Sequence, residues 1–297
     1  MKNTHLEHPE DSILSGDLSV LSWFLANSEM SVKMDGKPAI VWGTDPSTDT
    51  KFVGTKSVFN KKKIKIAHSH QEIDDLYEGE VARILHDCLT FLPQYDGIVQ
   101  GDFLGWGQGE DTFTPNTVTY VFPELIEQTI IVAPHTLYAT DGELKDAYTI
   151  NDMVGMEFFN DTEYVKFVQP NCWEVADKYR FSEIIGFARQ MAQLVNFADP
   201  LDAEALKIAL NKCIREGREI NPDEFDNSRL ISYWFLIKSI KEDILFLCRN
   251  NGPSAYIGDR QCRGEGYVGI NQYGMFKLVS REQFSHANFN NERFANV

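Results

Sequence analysis

The chain lacks cysteine pairs, long apolar runs and an excess of positive charge, and each shortage excludes a class of protein. Its five cysteines are scattered over 297 residues without a Cys-x-x-Cys pair, which argues against a disulfide framework and a cysteine zinc site. No segment has the roughly 18 uninterrupted apolar residues of a membrane helix, and residues 1–11 contain no apolar signal core. We therefore expect reduced thiols, no membrane partner and a cytoplasmic location.

Positive charge is scarce, because 28 lysines and arginines face 44 acidic residues and leave a formal charge of −16. Broad nonspecific binding of nucleic acid needs many cations that neutralise phosphates. Any contact with nucleic acid must therefore be local, and the basic run at residues 61–65 is the candidate patch. The same run could also be an ordinary solvated loop.

The spacing of apolar residues changes along the chain from strand-like to helical and back. An opening amphipathic helix is predicted over residues 12–26, and a second helix over residues 72–92 interrupts a strand-rich half. Residues 174–250 have a largely helical pattern, and residues 266–279 return to a pair of strands.

Strands followed by helices and then by two last strands are the order that a helical insertion into a sheet domain would give. We therefore predict an α+β fold. Residues 1–160 would form the first part of the sheet domain, residues 161–255 a helical insertion or lid, and residues 256–297 the closing strands.

The lysine in residues 33–36 (Lys-Met-Asp-Gly) is the feature with the clearest chemical meaning. A lysine amine becomes a nucleophile when a low-dielectric pocket or nearby positive charge lowers its pKa. Attack on the α-phosphate of a nucleoside triphosphate would form a lysyl phosphoramidate and expel pyrophosphate, a step that needs Mg²⁺ and cationic side chains. The alternative is an ordinary surface lysine beside a hairpin turn.

Several motifs, in order, resemble those of the covalent nucleotidyltransferase superfamily, which contains the ATP-dependent DNA ligases, RNA ligases and mRNA capping enzymes. Residues 33–36 match the nucleophile motif, the strand around Asp102 is similar to the acidic strand motif, and residues 265–268 (Glu-Gly-Tyr-Val) are similar to the Glu-Gly-x-Val motif. The resemblance covers residues 30–140 and 264–280. The Lys-x-Asp-Gly-x-Pro-Ala form also resembles ligase-like proteins of large tailed bacteriophages.

The resemblance implies a role for each matched residue. Lys33 would be the catalytic nucleophile that forms a lysyl-AMP intermediate, and Asp102 and Glu265 would bind Mg²⁺. The residues that it assigns to the nucleotide are Asp35, Gly36, Lys56, Asp102, Phe122 and Lys277. Arg260 and Arg263, just ahead of Glu265, are candidates for phosphate contacts.

The function implied by the resemblance is an ATP-dependent polynucleotide ligase-like enzyme, with an antiparallel-sheet nucleotide cleft, ATP and Mg²⁺ as cofactors and a 5′-phosphorylated nucleic-acid end as acceptor. Pro38 stands where the family often has arginine, Lys56 replaces an arginine, and Ile270 replaces a lysine. Because about twenty residues follow Lys277, we expect no C-terminal oligonucleotide-binding domain. The alternatives are GTP as donor, transfer to a protein or small molecule, and a nucleotide-binding or assembly protein without turnover.

Three other groups have simple structural interpretations. Glu265 and Lys277 could form a cross-strand ion pair. His68 and His70 are interpreted as surface histidines, since no neighbouring cysteine or third histidine completes a metal site. The aromatic residues 233–235 are predicted to lie in the core.

Overall fold

The structure is a computed structural model that describes residues 6–150, 159–174, 179–282 and 284. Within these residues the chain is a mixture of α-helices and mostly antiparallel sheets, which confirms the predicted α+β class. All five cysteines are free thiols, as expected. None of the described helices combines the length and the apolar character needed to cross a bilayer.

The helices and strands of the described residues follow in chain order. The strands are β1 (Glu29–Lys33), β2 (Ala39–Asp45), β3 (Thr50–Thr55), β4 (Ile98–Gly105), β5 (Glu110–Phe113), β6 (Thr119–Ile126), β7 (Ile130–Ala139), β8 (Tyr148–Ile150), β9 (Val165–Phe167), β10 (Cys172–Glu174), β11 (Cys248–Asn250), β12 (Ser254–Ile257), β13 (Arg260–Cys262), β14 (Gly266–Asn271) and β15 (Gly274–Val279). The α-helices are α1 (Pro9–Ser12), α2 (Ser19–Trp23), α3 (His70–Leu76), α4 (Gly79–Phe91), α5 (Tyr179–Ala192), α6 (Pro200–Arg215) and α7 (Ser228–Leu247).

The chain divides into two compact units. The first unit contains Met34–Pro170 and Gly252–Gly264, and the second contains His5–Lys33, Asn171–Asn251 and Glu265–Val297. Whether the helices are an insertion at residues 161–255 stays a prediction.

Two sheets form the first unit. One has the strand order β3-β2-β4-β7-β8, with β9 added in parallel to β7, and the other has the order β13-β12-β6-β5. Helix α4 buries Ile84, Leu85 and Cys88 in a core that also contains Val99 and Val132 of the larger sheet. Full burial of one such aliphatic side chain contributes about 1.5 to 3 kcal/mol, so this face of α4 fixes the helix on the sheet.

The prediction of one helix over residues 72–92 is wrong, because two helices occupy this segment. Ser69 caps α3 and forms a capping box with Glu72, so α3 begins before the predicted start. The chain then turns extended at Tyr77, and Gly79 adopts a φ of +61°. Such a backbone angle is costly for residues with a side chain, and α4 begins there in a new direction.

The second unit packs helices against the three-stranded antiparallel sheet β1-β14-β15. Its core includes Tyr233 and Trp234 of α7 together with Tyr267 and Leu278 of the sheet, and Phe235 packs against this core while partly exposed. The core placement of the aromatic residues 233–235 is therefore confirmed. Strand β10 pairs with β11 in a separate two-stranded ribbon.

The opening helix predicted over residues 12–26 is also wrong as a single element. Helix α1 is followed by a 3₁₀ turn, and Gly16 then takes a φ of +87° before α2 begins. Ile13, Leu14 and Leu21 are still buried in the core of the second unit. Two short helical pieces therefore satisfy the apolar spacing that suggested one long helix.

A buried ion network ties the ends of the second unit together. Glu10, Asp11, Lys241 and Arg281 are all at most 6% exposed. Nζ of Lys241 lies 3.1 Å from Oε1 of Glu10, and Nη1 of Arg281 donates to Oδ1 of Asp11 at 2.8 Å. Lys241 also donates to the carbonyl of Val279 at 2.8 Å. Helix α1, helix α7 and the end of β15 are thus joined by charged hydrogen bonds.

Substitution of Lys241 by methionine tests this network. The change removes one of the two cations that contact the buried Glu10 carboxylate, leaving Arg281 at 3.3 Å, and it leaves the Val279 carbonyl without its Lys241 donor. Loss of one partner from a buried ion pair typically costs about 3 to 5 kcal/mol. We expect a loss of this size in the free energy of unfolding, measured by urea titration with circular dichroism.

The matched control is Lys212→Met. Lys212 pairs with Glu216 at 3.9 Å on the surface of α6, where the two side chains are 68% and 50% exposed, and exposed pairs contribute little. We expect no measurable change in that variant. Equal stability of the two variants would contradict a stabilising role for the network.

Candidate functional site

Lys33 and Glu265 lie side by side in the second unit because β1 pairs with β14. The antiparallel register sets Lys33 opposite Gly266, the residue that follows Glu265. Nζ of Lys33 lies 2.5 Å from Oε2 of Glu265, and the two side chains are 33% and 17% exposed. The pair is therefore close, charged and still accessible to solvent.

Gly266 allows β14 to approach β15 closely. Its φ is +149°, and a Cβ added there would lie 2.1 Å from the carbonyl oxygen of Leu278. No side chain fits at such a distance. The glycine of the Glu-Gly-x-Val match is therefore required by packing, and it keeps Glu265 at the start of the central strand of this sheet.

Lys277 lies on the same face of the sheet as Lys33. Lys277 of β15 is paired with Val268 of β14, and Val268 is paired with Ser31 of β1. Directly paired residues project to one side of a sheet, and so do residues two apart on one strand. Ser31 and Lys33 therefore share a face, and Lys277 projects from it too.

Burial and neighbouring charges make Lys277 an unusual lysine. Burial lowers the pKa of the Lys277 ammonium, and the positive charges of Lys33 and Arg281 lower it further, against smaller raising effects of Asp11 and Glu7. Deprotonation is thus easier than for an exposed lysine. The sequence allowed a cross-strand ion pair between Glu265 and Lys277. In the structure the carboxylate of Glu265 instead forms an ion pair with Lys33.

Asp35, in the first unit, has a structural role that the motif does not indicate. Its carboxylate is 5% exposed and accepts hydrogen bonds from Nδ2 of Asn116 at 2.8 Å and from the backbone N–H groups of Thr117 and Val118 at 2.8 and 2.9 Å. The backbone N–H of Asp35 donates to the hydroxyl of Tyr120. Asp35 therefore fixes the loop that leads into β6, and its contact with a nucleotide stays a prediction.

Gly36 packs directly on β4 at Asp102. A Cβ added to Gly36 would lie 2.6 Å from Cβ of Asp102 and 2.8 Å from the carbonyl oxygen of Phe103. The neighbouring chain is fixed by Lys37 N–H donating to the Phe103 carbonyl and by Phe103 N–H donating to the Pro38 carbonyl, each at 3.0 Å. Two of the residues predicted to bind nucleotide, Gly36 and Asp102, are thus in contact.

His135 of β7 is a neighbour of Asp102 that the sequence did not indicate. Its Nε2 lies 3.6 Å from Oδ2 of Asp102 and 3.3 Å from Nε2 of Gln100. Tyr138 donates to Oε1 of Gln100 at 2.9 Å, which orients that amide so that Nε2 faces the ring. Nδ1 of His135 lies 2.7 Å from the hydroxyl of Thr136. Asp102, Gln100 and His135 therefore form one polar cluster on β4 and β7.

The other residues of the first unit that are predicted to contact nucleotide or phosphate lie on or beside different strands. Phe122 is 8% exposed and packs edge to face on Phe113, with ring centroids 5.7 Å apart. Lys56 is exposed just after β3, and Arg260 and Arg263 are exposed at β13. The stacking of Phe122 on a base stays a prediction.

Binding of Mg²⁺ by Asp102 and Glu265 stays a prediction. No group of three or more His, Cys, Asp or Glu side chains suited to a metal ion occurs in the described residues. His68 instead contacts Asp45 at 2.9 Å, and His70 contacts His86 at 2.7 Å. A Mg²⁺ ion in a nucleotide site commonly uses one or two carboxylates together with substrate phosphates, so either carboxylate has suitable chemistry within its own unit.

Comparison with known proteins places the chain in a family. The profile described as "Family of unknown function (DUF6267)" matches residues 3–227 and 220–293. The chain belongs to this family. No curated protein and no solved structure matches the chain significantly.

In this DUF6267 protein the predicted residues fall into two groups. The second unit brings together Lys33, Glu265 and Lys277 on one sheet. The first unit brings Gly36 against Asp102, and His135 completes that cluster. Pairing of β1 with β14, across more than two hundred residues of sequence, decides the group in the second unit. The pairings of β4 with β2 and with β7 decide the group in the first unit.

Substitution of Asp35 by alanine tests its structural role without nucleotide. The change leaves the buried N–H groups of Thr117 and Val118 without their acceptor, and each such loss costs about 1 to 3 kcal/mol. We expect the free energy of unfolding of the nucleotide-free protein to fall by about 2 kcal/mol or more. Asp141→Ala, at an exposed turn, is the control and is expected to have no effect. Unchanged stability in Asp35→Ala would contradict the structural role.

Proposed function

We propose that this protein is a covalent nucleotidyltransferase in which Lys33 attacks the α-phosphate of ATP. The observation that carries the proposal is the pairing of β1 with β14, which sets Lys33 against Glu265 on the sheet face that also presents Lys277. These three residues correspond in order to the nucleophile, the metal-binding glutamate and the final lysine of the ligase and capping-enzyme motifs. We also propose that the α+β fold is that of a ligase adenylation domain.

The Lys33–Glu265 ion pair indicates how the nucleophile would be activated. An ammonium has no lone pair, so Lys33 must lose a proton before it attacks. Oε2 of Glu265, 2.5 Å away, is positioned to accept that proton. The nitrogen–phosphorus bond then forms as the bond between the α-phosphorus and the bridging oxygen breaks, and pyrophosphate leaves.

Lys277 would bind the phosphate that reacts. Its ammonium is disfavoured by burial and by Lys33 and Arg281. An incoming phosphate reverses this balance, because nearby negative charge stabilises the protonated form of an amine. Glu265 and the phosphates would hold a Mg²⁺ ion, which would neutralise part of the charge that develops on the leaving group.

The acceptor that we propose is a 5′-phosphorylated polynucleotide end, which would make the protein ligase-like. A cytoplasmic location is part of the same proposal. The likeness of the motifs supports this step, and the assignments of Asp35, Gly36, Lys56, Asp102, Phe122, Arg260 and Arg263 to nucleotide or phosphate rest on the same likeness.

The mass of the intact protein tests the covalent step. After incubation with ATP and Mg²⁺ we expect the wild-type chain to gain one adenylate, and to lose it when pyrophosphate is added. Lys33→Ala is expected to gain nothing. Lys33→Arg, which keeps a positive charge beside Glu265 but cannot supply a neutral nucleophile, is expected to gain nothing either.

Lys212→Ala is the control, because Lys212 is an exposed lysine of α6, and it should gain the adenylate like the wild type. A labelled Lys33→Ala variant would contradict the proposal. So would folded, nucleotide-free wild-type protein that binds nucleotide but forms no adduct with ATP or GTP, a result that supports the binding-protein alternative.

A further inference from the structure

Residues 50–69, which begin with β3, carry a local excess of positive charge in an acidic protein. Residues 50–69 contain no aspartate or glutamate, although the chain as a whole carries a formal charge of −16. The six lysines of this segment are Lys51, Lys56, Lys61, Lys62, Lys63 and Lys65. Such segregation of one sign of charge creates a local positive potential.

The segment is a closed and ordered loop. Val53 and Ala67 exchange two backbone hydrogen bonds at 2.9 and 3.0 Å at its base. The carbonyl of Ser57 then accepts from the N–H groups of Asn60 at 3.2 Å and Lys65 at 3.4 Å. Residues 61–63 therefore form the tip of a loop whose two sides are joined to each other.

Two of the six lysines stabilise helix ends. Lys51 donates to the carbonyls of Leu89 and Leu92 at 2.5 and 2.7 Å, at the end of α4. Lys65 donates to the carbonyl of Leu76 at 2.7 Å, at the end of α3. Cations are favourable at helix C-termini, so these two lysines have a structural explanation.

The other four lysines have no such explanation. We call Lys56, Lys61, Lys62 and Lys63 the lysine loop. All four are exposed, and none is within 4.0 Å of a carboxylate oxygen of the described residues. Seven lysines elsewhere in those residues do have a carboxylate partner, and they are Lys33, Lys145, Lys166, Lys207, Lys212, Lys238 and Lys241. The four lysines of the loop therefore differ from these seven, because they have no acidic partner among the described residues although the protein is rich in carboxylates.

The backbone at the tip is held in a costly conformation. Lys63 has a φ of +56°, in the left-handed region that residues with a side chain rarely adopt. Like charges at adjacent positions also repel one another. A polyanion would relieve the charge repulsion by neutralising the lysines, and lysine is a common point-charge ligand of phosphate.

We propose that the lysine loop binds the phosphate backbone of a polynucleotide. An amphipathic membrane-surface helix does not fit, because such helices place several large apolar side chains opposite their cations and residues 61–63 form bends. Ile64 is the only large apolar side chain between Asn60 and Lys65. Binding of this kind depends on charge alone and not on nucleotide transfer, so it goes beyond the function proposed for Lys33.

Fluorescence anisotropy with a labelled single-stranded oligonucleotide, titrated with NaCl, tests the proposal. The variant is Lys61→Ala/Lys62→Ala/Lys63→Ala, which leaves Lys56 intact because Lys56 is also a candidate nucleotide contact. Each lost phosphate contact lowers the slope of log affinity against log salt by about 0.7 for single strands. We expect the slope to fall by about 2 and the affinity at low salt to fall about 10-fold or more.

Two further variants separate charge from structure. Lys61→Arg/Lys62→Arg/Lys63→Arg keeps the charge and should bind like the wild type. Lys212→Ala/Arg215→Ala/Arg229→Ala removes three exposed cations from the second unit and should also bind like the wild type. Lys33→Ala is expected to bind normally, so failure of covalent transfer and failure of backbone binding can be distinguished.

Three results would overturn the proposal. One is an unchanged affinity and salt slope in the triple-alanine variant. Another is wild-type protein that binds no single-stranded DNA, RNA or duplex at low salt. The third is binding to vesicles that contain phosphatidylserine, but not to oligonucleotides, with loss of vesicle binding in the same variant, which would reassign the loop to a membrane surface.

Discussion

The candidate site depends on the antiparallel pairing of β1 with β14. This pairing joins positions that are 232 residues apart in the chain, and it alone places Lys33 at hydrogen-bonding distance from Glu265. A slip of one residue would turn Lys33 to the opposite face of the sheet. Gly266 is needed on the other edge of β14, because its lack of a side chain lets β15 approach closely. The register of β15 with β14 then places Lys277 on the same face as Lys33.

The position of β15 is fixed in turn by charges buried in the second unit. Lys241 binds the carbonyl at the end of β15 and the carboxylate of Glu10, while Arg281, two residues beyond the strand, binds Glu10 and Asp11. Burial of ions is expensive unless each is paired. The network therefore gives β15 a defined position. Its Arg281 helps to lower the pKa of Lys277, after burial and Lys33. Burial, Arg281, Lys277 and Lys241 lower the pKa of His8.

Local patterns in the sequence predicted much of the fold but not its pairings. The apolar pattern located the closing strands β14 and β15 and the largely helical stretch that contains α7. The breaks at Gly16 and Gly79 were missed because apolar spacing continues across both glycines, although each adopts a positive φ. Motif order marked Lys33 and Glu265 as candidates for the site, but their contact follows from the pairing of β1 with β14 and was not predicted. His135 and the loop bound by Asp35 were not, because their contacts depend on the register of β4 with β7 and on the path of residues 116–118. The lysine loop was visible as a charge run, but only the structure separates its four exposed lysines from Lys51 and Lys65.

The central claim is that Lys33, of the two lysines on this face of the sheet, forms the covalent bond to the nucleotide. The most direct test is tandem mass spectrometry of peptides from wild-type protein incubated with ATP and Mg²⁺, under neutral conditions that preserve a phosphoramidate. We expect the adenylate on Lys33, with Lys277 unmodified. An adenylate on Lys277 or on any other residue would contradict the assignment of the nucleophile.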